Sequence, residues 1–153
     1  MNILLTFATN SGGTEIVANN IAGVLREGGH TVEVKNVSEV NAEAVAVAES
    51  VVIGSPSWDY EGAEGQPHEG YRPLMEALRQ KKPTGKKFAI FGLGDSSYTH
   101  FCGAVDVLEA WIKEIGGVLV TASLRIDGYY FKQAEHDEAA KTWATTLTKS
   151  LTS

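Results

Sequence analysis

Apolar residues recur along the chain with two different periods, and the two alternate from end to end. Residues 2–8, 31–36, 50–55, 87–92 and 118–124 read as five strands. The first, third and fourth are almost wholly apolar (Ile3-Leu4-Leu5, Val51-Val52-Ile53, Phe88-Ala89-Ile90-Phe91), the composition of a parallel strand covered on both faces, so these three are expected at the centre. Between strands the spacing turns helical. Val17, Ile21, Val24 and Leu25 mark a helix over residues 14–27 that stops at Gly28-Gly29. Val105, Leu108, Trp111, Ile112 and Ile115 repeat the pattern before Gly116-Gly117, and Ala139, Trp143 and Leu147 mark a last helix. A helix over residues 71–80 and a short turn at 41–46 complete the set. Strict alternation implies right-handed crossovers and a three-layer, doubly wound, five-stranded parallel sheet of order 2-1-3-4-5. Ligands of such sheets sit outside the carboxyl ends of the strands, beside the switch point between the first and third. The loops after Ala8, Ser55 and Gly92 are therefore the place to look for chemistry.

Composition narrows this picture without changing it. At 153 residues the chain is expected to form a single domain spanning residues 1–153. Its 43% apolar and 21% charged content suits a packed core. No apolar run approaches the roughly 18 residues of a membrane-spanning helix, and the first residues carry no basic cluster ahead of an apolar stretch. A cytoplasmic protein that inserts into no membrane is expected. The single cysteine, Cys102, excludes an internal disulfide, and histidines at 30, 68, 100 and 136 offer no metal-ligand spacing. A net charge of -6 opposes nucleic acids and anionic membranes and favours a basic partner.

Three loops could carry chemistry. Thr9-Asn10-Ser11-Gly12-Gly13-Thr14 packs hydroxyls and glycines between a buried strand and a helix start, where free amides and the helix dipole favour an anion. It lacks the lysine of a nucleoside-triphosphate loop and the G-x-G-x-x-G spacing of a dinucleotide site, so a single phosphate monoester fits best; an ordinary helix cap with turn glycines is the alternative. The segment from Ser55 through Pro56, Ser57, Trp58 and Asp59 to Gly70 is long, lacks apolar periodicity, and places Trp58 where no core element claims it. That ring is either a ligand or partner contact or packs on a neighbouring helix. In the third loop, Gly92 and Gly94 allow close backbone approach and Tyr98 supplies a second aromatic on the same sheet edge. Two aromatic faces and a phosphate cradle describe a flat ring system with a phosphorylated tail.

That combination resembles the flavodoxin family. Thr9-Asn10-Ser11-Gly12-Gly13-Thr14-Glu15 is similar to its FMN phosphate loop, Trp58 to the aromatic on one face of the isoalloxazine, and Gly94-Asp95-Ser96-Ser97-Tyr98 to the segment whose tyrosine stacks on the other. The similarity continues through Phe101-Cys102-Gly103-Ala104-Val105-Asp106 and Leu124-Arg125-Ile126-Asp127-Gly128, and the direct run from Leu124 to Arg125 resembles the short-chain type. The resemblance implies non-covalent FMN held by Thr9, Asn10, Ser11, Gly12, Gly13, Thr14, Ser55, Pro56, Ser57, Trp58, Asp59, Gly92, Gly94, Asp95, Tyr98, Phe101 and Cys102. It further implies a low-potential one-electron carrier, not an enzyme, that serves redox proteins with basic docking faces: ferredoxin/flavodoxin reductase-like proteins and ferredoxin-dependent oxidoreductases. A monomer is expected. In the family, the peptide after the loop tryptophan turns over when the flavin takes up one electron. Asp59 stands where close relatives often have glycine, which should make that turn less favourable.

Other readings of the same topology fare less well. A response-regulator receiver needs acids at the ends of strands one and three, where Phe7-Ala8 and Gly54-Ser55 stand, and a cysteine phosphatase needs an arginine where Leu108 follows Cys102. An FMN-dependent NAD(P)H reductase of quinones or nitro compounds is the remaining alternative, but it needs room above a ring that Trp58 and Tyr98 would both cover. Acids are expected at the ligand edge (Glu15, Asp59, Glu61, Glu64, Glu69, Asp95, Asp127) and bases at the opposite end (Arg79, Lys81, Lys82, Lys86, Lys87). His68 and His100 read as solvated loop residues, and Arg125 with Asp127 as a structural pair or turn residues.

Overall fold

Strand β1 (Asn2–Phe7) buries every residue after its first, as a strand sandwiched between two helical layers must. The computed structural model describes residues 1–8, 12–56, 58–60, 63–66, 69–94, 103–127 and 133–152, with only the backbone described at 58–60, 63–66, 69 and 152. After β1 follow α1 (Gly13–Glu27), β2 (Thr31–Asn36), α2 (Ala42–Val47), β3 (Ser50–Pro56), β4 (Trp58–Tyr60), β5 (Ala63–Gln66), α3 (Arg72–Gln80), β6 (Lys87–Gly94), α4 (Gly103–Glu114), β7 (Val118–Leu119), β8 (Leu124–Asp127) and α5 (Gln133–Thr152). The main sheet runs β2-β1-β3-β6, with β7 and β8 both on the far side of β6, and every pairing in it is parallel. This is the 2-1-3-4-5 order, with the fifth position filled by two short segments.

Alternate residues of the central strands feed two cores. On one face Ile3, Leu5, Phe7, Val52 and Phe91 meet Val17, Ile21 and Leu25 of α1 and Ala140, Ala144, Leu147 and Leu151 of α5. On the other, Leu4, Val51, Ile53, Phe88 and Ile90 meet Leu74, Met75 and Leu78 of α3 and Leu108, Trp111 and Ile112 of α4. Each such large side chain taken fully from water contributes roughly 1.5 to 3 kcal/mol. Trp111 also satisfies its polar end, donating Nε1–H to the Met75 carbonyl at 3.1 Å, while its ring meets Phe88 edge-on.

Three expectations are revised. The strand read over residues 118–124 is interrupted: β7 ends at Leu119, β8 starts at Leu124, and the intervening Ala122 carbonyl accepts Nε1–H of Trp143 at 2.8 Å. The ladder carries one more bond past Leu119, from the Val120 amide to the Phe88 carbonyl at 3.1 Å, before the Trp143 side chain takes the Ala122 carbonyl. The segment after Ser55 is not structureless, because β4 and β5 pair as an antiparallel ribbon, Trp58 opposite Gln66 and Tyr60 opposite Ala63. Finally, the first strand closes at Phe7, not Ala8, although the Ala8 amide still donates to the Gly54 carbonyl at 3.1 Å.

Candidate functional site

Register brings the ends of the central strands to one level. Phe7 lies opposite Gly54, Gly54 opposite Phe91, and Phe91 opposite Leu124. One step further along, Ser55 lies beside Gly92 and Gly92 beside Arg125; the last pair is Gly94 with Asp127. The three loops singled out from sequence therefore leave a common edge, on either side of the point where the chain's connections change direction between β1 and β3.

The first of them enters α1 through Gly12, whose φ of 89° lies in the left-handed region that a side-chain-bearing residue would occupy only under strain. Gly12 has no side chain with which to cap the helix, and its carbonyl accepts the Ile16 amide at 3.1 Å. Gly13 and Thr14 are buried at the first turn, with Glu15 half-buried beside them. The amides of this turn and the Thr14 hydroxyl make up a neutral donor set, and no lysine or arginine occurs from Gly12 to Ile16. Such a set suits a phosphate monoester bound through hydrogen bonds and the helix dipole. Thr9, Asn10 and Ser11 lie outside the described residues.

At the end of β3, Ser55 is fully buried and its hydroxyl donates to the Pro56 carbonyl at 2.8 Å. Ser57 lies outside the described residues; Trp58 and Asp59 belong to β4, their side chains outside the description. At the end of β6, Gly92 and Gly94 occupy the expected edge, but the space beside Gly92 is taken by the protein itself. A Cβ there would lie 2.4 Å from Cγ2 of Val105, so this glycine lets α4 close on the sheet. Asp95, Tyr98, Phe101 and Cys102 lie outside the described residues, as do His68 and His100.

Two clusters at this edge escaped the sequence. Arg125 donates to Asp106 at 2.8 Å and stands 3.5 Å from Glu109, whose other oxygen accepts the Ser123 hydroxyl at 2.7 Å. The edge thus carries a cation, tied to carboxylates of α4. The second is Tyr71, fully buried just before α3, whose hydroxyl donates to the Gly54 carbonyl at 2.6 Å with the Thr6 carbonyl 3.2 Å away. Burial is the main reason its phenol stays protonated far above the ordinary tyrosine range. Nothing local in the sequence says where that hydroxyl goes.

Known proteins match this architecture. The flavodoxin family profile matches residues 5–143. A flavodoxin of Maridesulfovibrio salexigens is 36% identical over 126 residues, covering 82% of this chain and 85% of that protein. A probable flavodoxin 2 of Bacillus subtilis is 36% identical over 126 residues, covering 82% of this chain and 81% of its own. The crystal structure of oxidised flavodoxin 1 from Bacillus cereus superposes with a TM-score of 0.84 at 27% identity, over 97% of this chain and 98% of that one. With the family profile, these relatives and the superposed fold in agreement, the chain belongs to the flavodoxin family, electron carriers that work through bound FMN.

Proposed function

We propose that this chain is a short-chain, low-potential, one-electron carrier whose FMN lies along the carboxyl edge of the sheet. In this reading Thr9, Asn10, Ser11, Gly12, Gly13 and Thr14 hold the phosphate, and Trp58 and Tyr98 cover the two faces of the ring. Ser55, Pro56, Ser57, Asp59, Gly92, Gly94, Asp95, Phe101 and Cys102 line its margins. The observation that carries it is the start of α1: a left-handed Gly12 and uncharged first-turn donors, level with the ends of β3 and β6. Bound FMN supplies reversible one-electron chemistry. What the chain supplies is placement and field. First-turn amides favour the dianionic phosphate. Glu15 and Asp127 at the same edge, with Arg125 already engaged by Asp106 and Glu109, disfavour further negative charge on the ring. A low potential for the second electron follows.

The same field supports redox partners with basic docking faces, reductases of the ferredoxin/flavodoxin type and ferredoxin-dependent oxidoreductases, served by a monomer in the cytoplasm. Among the described residues no helix is long and apolar enough to cross a membrane. The test is to mix the FMN-loaded protein anaerobically with NADH or NADPH. The flavin should stay oxidised until a flavodoxin reductase is added, and association with that reductase should slow as salt rises. Rapid bleaching by the nicotinamide alone would make the protein an oxidoreductase instead.

A further inference from the structure

Tyr71 lies at the switch point itself. Its hydroxyl reaches the carbonyl of Gly54 on β3 at 2.6 Å and stands 3.2 Å from that of Thr6 on β1. A phenol has one proton to give, and the shorter contact identifies Gly54 as its acceptor. The Gly54 carbonyl uses its second lone pair for the Ala8 amide at 3.1 Å. One oxygen therefore joins the last residue before the α1 loop, the end of β3 and the residue that precedes α3. On its other side Gly54 is fixed by packing, because a Cβ there would sit 2.0 Å from Cζ of Phe91.

We propose that Tyr71 is a positioning residue for the FMN site, a clamp that closes the base of the 55–70 segment and ties it to the root of the phosphate loop. The inference rests on the FMN reading above. The chain leaves the sheet at Pro56 and returns at Tyr71, and the phenol brings the returning end to within one hydrogen bond of Gly54. Without that bond Gly54 and Tyr71 lose their direct tie, and the relative placement of the two ends of the segment is less closely fixed. Ordering it then falls to the cofactor, which lowers affinity in proportion to the population of the competent arrangement. The bond is neutral and fully buried, so its removal should weaken binding by about three- to tenfold.

Tyr71→Phe keeps the ring and leaves the Gly54 carbonyl bonded to Ala8, and Ile112→Val removes one methyl from the same core away from the edge. With both variants fully folded, the dissociation constant for FMN should rise about three- to tenfold in Tyr71→Phe and stay at the parent value in Ile112→Val. In the FMN-free protein the Ala8 amide should exchange with solvent faster by a similar factor in Tyr71→Phe only. Parent-like FMN affinity in Tyr71→Phe, or an unchanged Ala8 exchange rate, would overturn the clamp. Exchange of the parent's Ala8 amide as fast as that of a frayed terminus would overturn it without any variant. Failure of the parent to bind FMN would remove the reading on which the inference rests, and Ala8 exchange would still decide whether Tyr71 clamps the edge.

Discussion

The two ends of the sheet are built differently. At the amino end the chain turns tightly and its backbone groups find partners at once: the Thr31 amide donates to Met1, Glu49 to Asn2, Gly85 to Gly116 and Val118 to Lys86, all within 2.8–3.0 Å. Cations brace this end. Lys86 Nζ donates to the carbonyls of Ala46 and Ala48 where α2 finishes, and Arg79 pairs with Glu76 and Glu114. At the carboxyl end the connections are longer, with eight residues between β6 and α4 against three between α1 and β2. Left-handed glycines serve both ends: Gly29, Gly85 and Gly116 close the tight turns, and Gly12 opens α1 at the carboxyl edge. Short closed turns secure a fold, and long segments leaving a rigid edge are where binding residues can be placed. Stability and cofactor binding should therefore respond to substitutions in different halves of the molecule.

The largest effect that would test this division comes from the core. Trp111→Ala removes a buried ring and its hydrogen bond to the Met75 carbonyl. It should cost about 3 to 5 kcal/mol in urea unfolding, yet leave the FMN dissociation constant of the folded fraction unchanged. Gly92→Ala should show the opposite balance. Its methyl meets Val105 at the head of α4, so an overpacking cost of about 1 to 3 kcal/mol should come with weaker FMN binding. Equal loss of FMN affinity in both variants would erase the distinction between the ends.

Much of the amino half was legible because its signals are local: apolar strands, helical spacing and glycine stops give β2 at its observed bounds and α1 within one residue of them. Interruptions were not. The break between Leu119 and Leu124 coincides with Trp143 reaching Ala122 from α5, a contact with no trace in either segment. The β4–β5 ribbon has strands of three and four residues, too short for a period to show. α5 runs a turn or more beyond its marked residues at either end because Ala140 and Ala144 carry part of its buried face, while threonines on the exposed side obscure the stripe. At the site, loop composition indicated phosphate and ring binding, whereas Tyr71 and the Arg125 cluster are visible only once three-dimensional neighbours are known.

A smaller effect concerns the ribbon. On the expectation that the peptide after Trp58 turns over with the first electron and that Asp59 borders the ring, Asp59→Gly should relieve a positive-φ cost of roughly 1 to 2 kcal/mol and remove a carboxylate there. The first-electron potential should rise by tens of millivolts, at about 59 mV per tenfold for one electron. Asp59→Asn should recover only the charge part. Potentiometric titration reads both, and two unchanged variants would remove Asp59 from the account.

The smallest effect belongs to the amino end. His30 is buried with neither ring nitrogen partnered among the described residues, and burial first, then the nearby amino terminus, lowers its pKa below the ordinary 6.5, against an opposing pull from Glu49. As pH falls through 6.5, the unfolded chain takes up a proton that the folded chain refuses, so stability present above that value is progressively lost until the lower folded pKa is reached. Urea midpoints between pH 7.5 and 5.5 should fall in the parent and fall less in His30→Gln. Parallel pH profiles would show that His30 contributes nothing.

In the proposed function the start of α1 holds the FMN phosphate at the carboxyl edge. Calorimetric titration of the FMN-free protein with FMN and with riboflavin, which differ in that phosphate alone, tests it most directly. The account predicts one FMN per chain and riboflavin binding weaker by about a hundredfold or more, as expected for the loss of several charge-assisted hydrogen bonds. Equal affinity for the two flavins would contradict it.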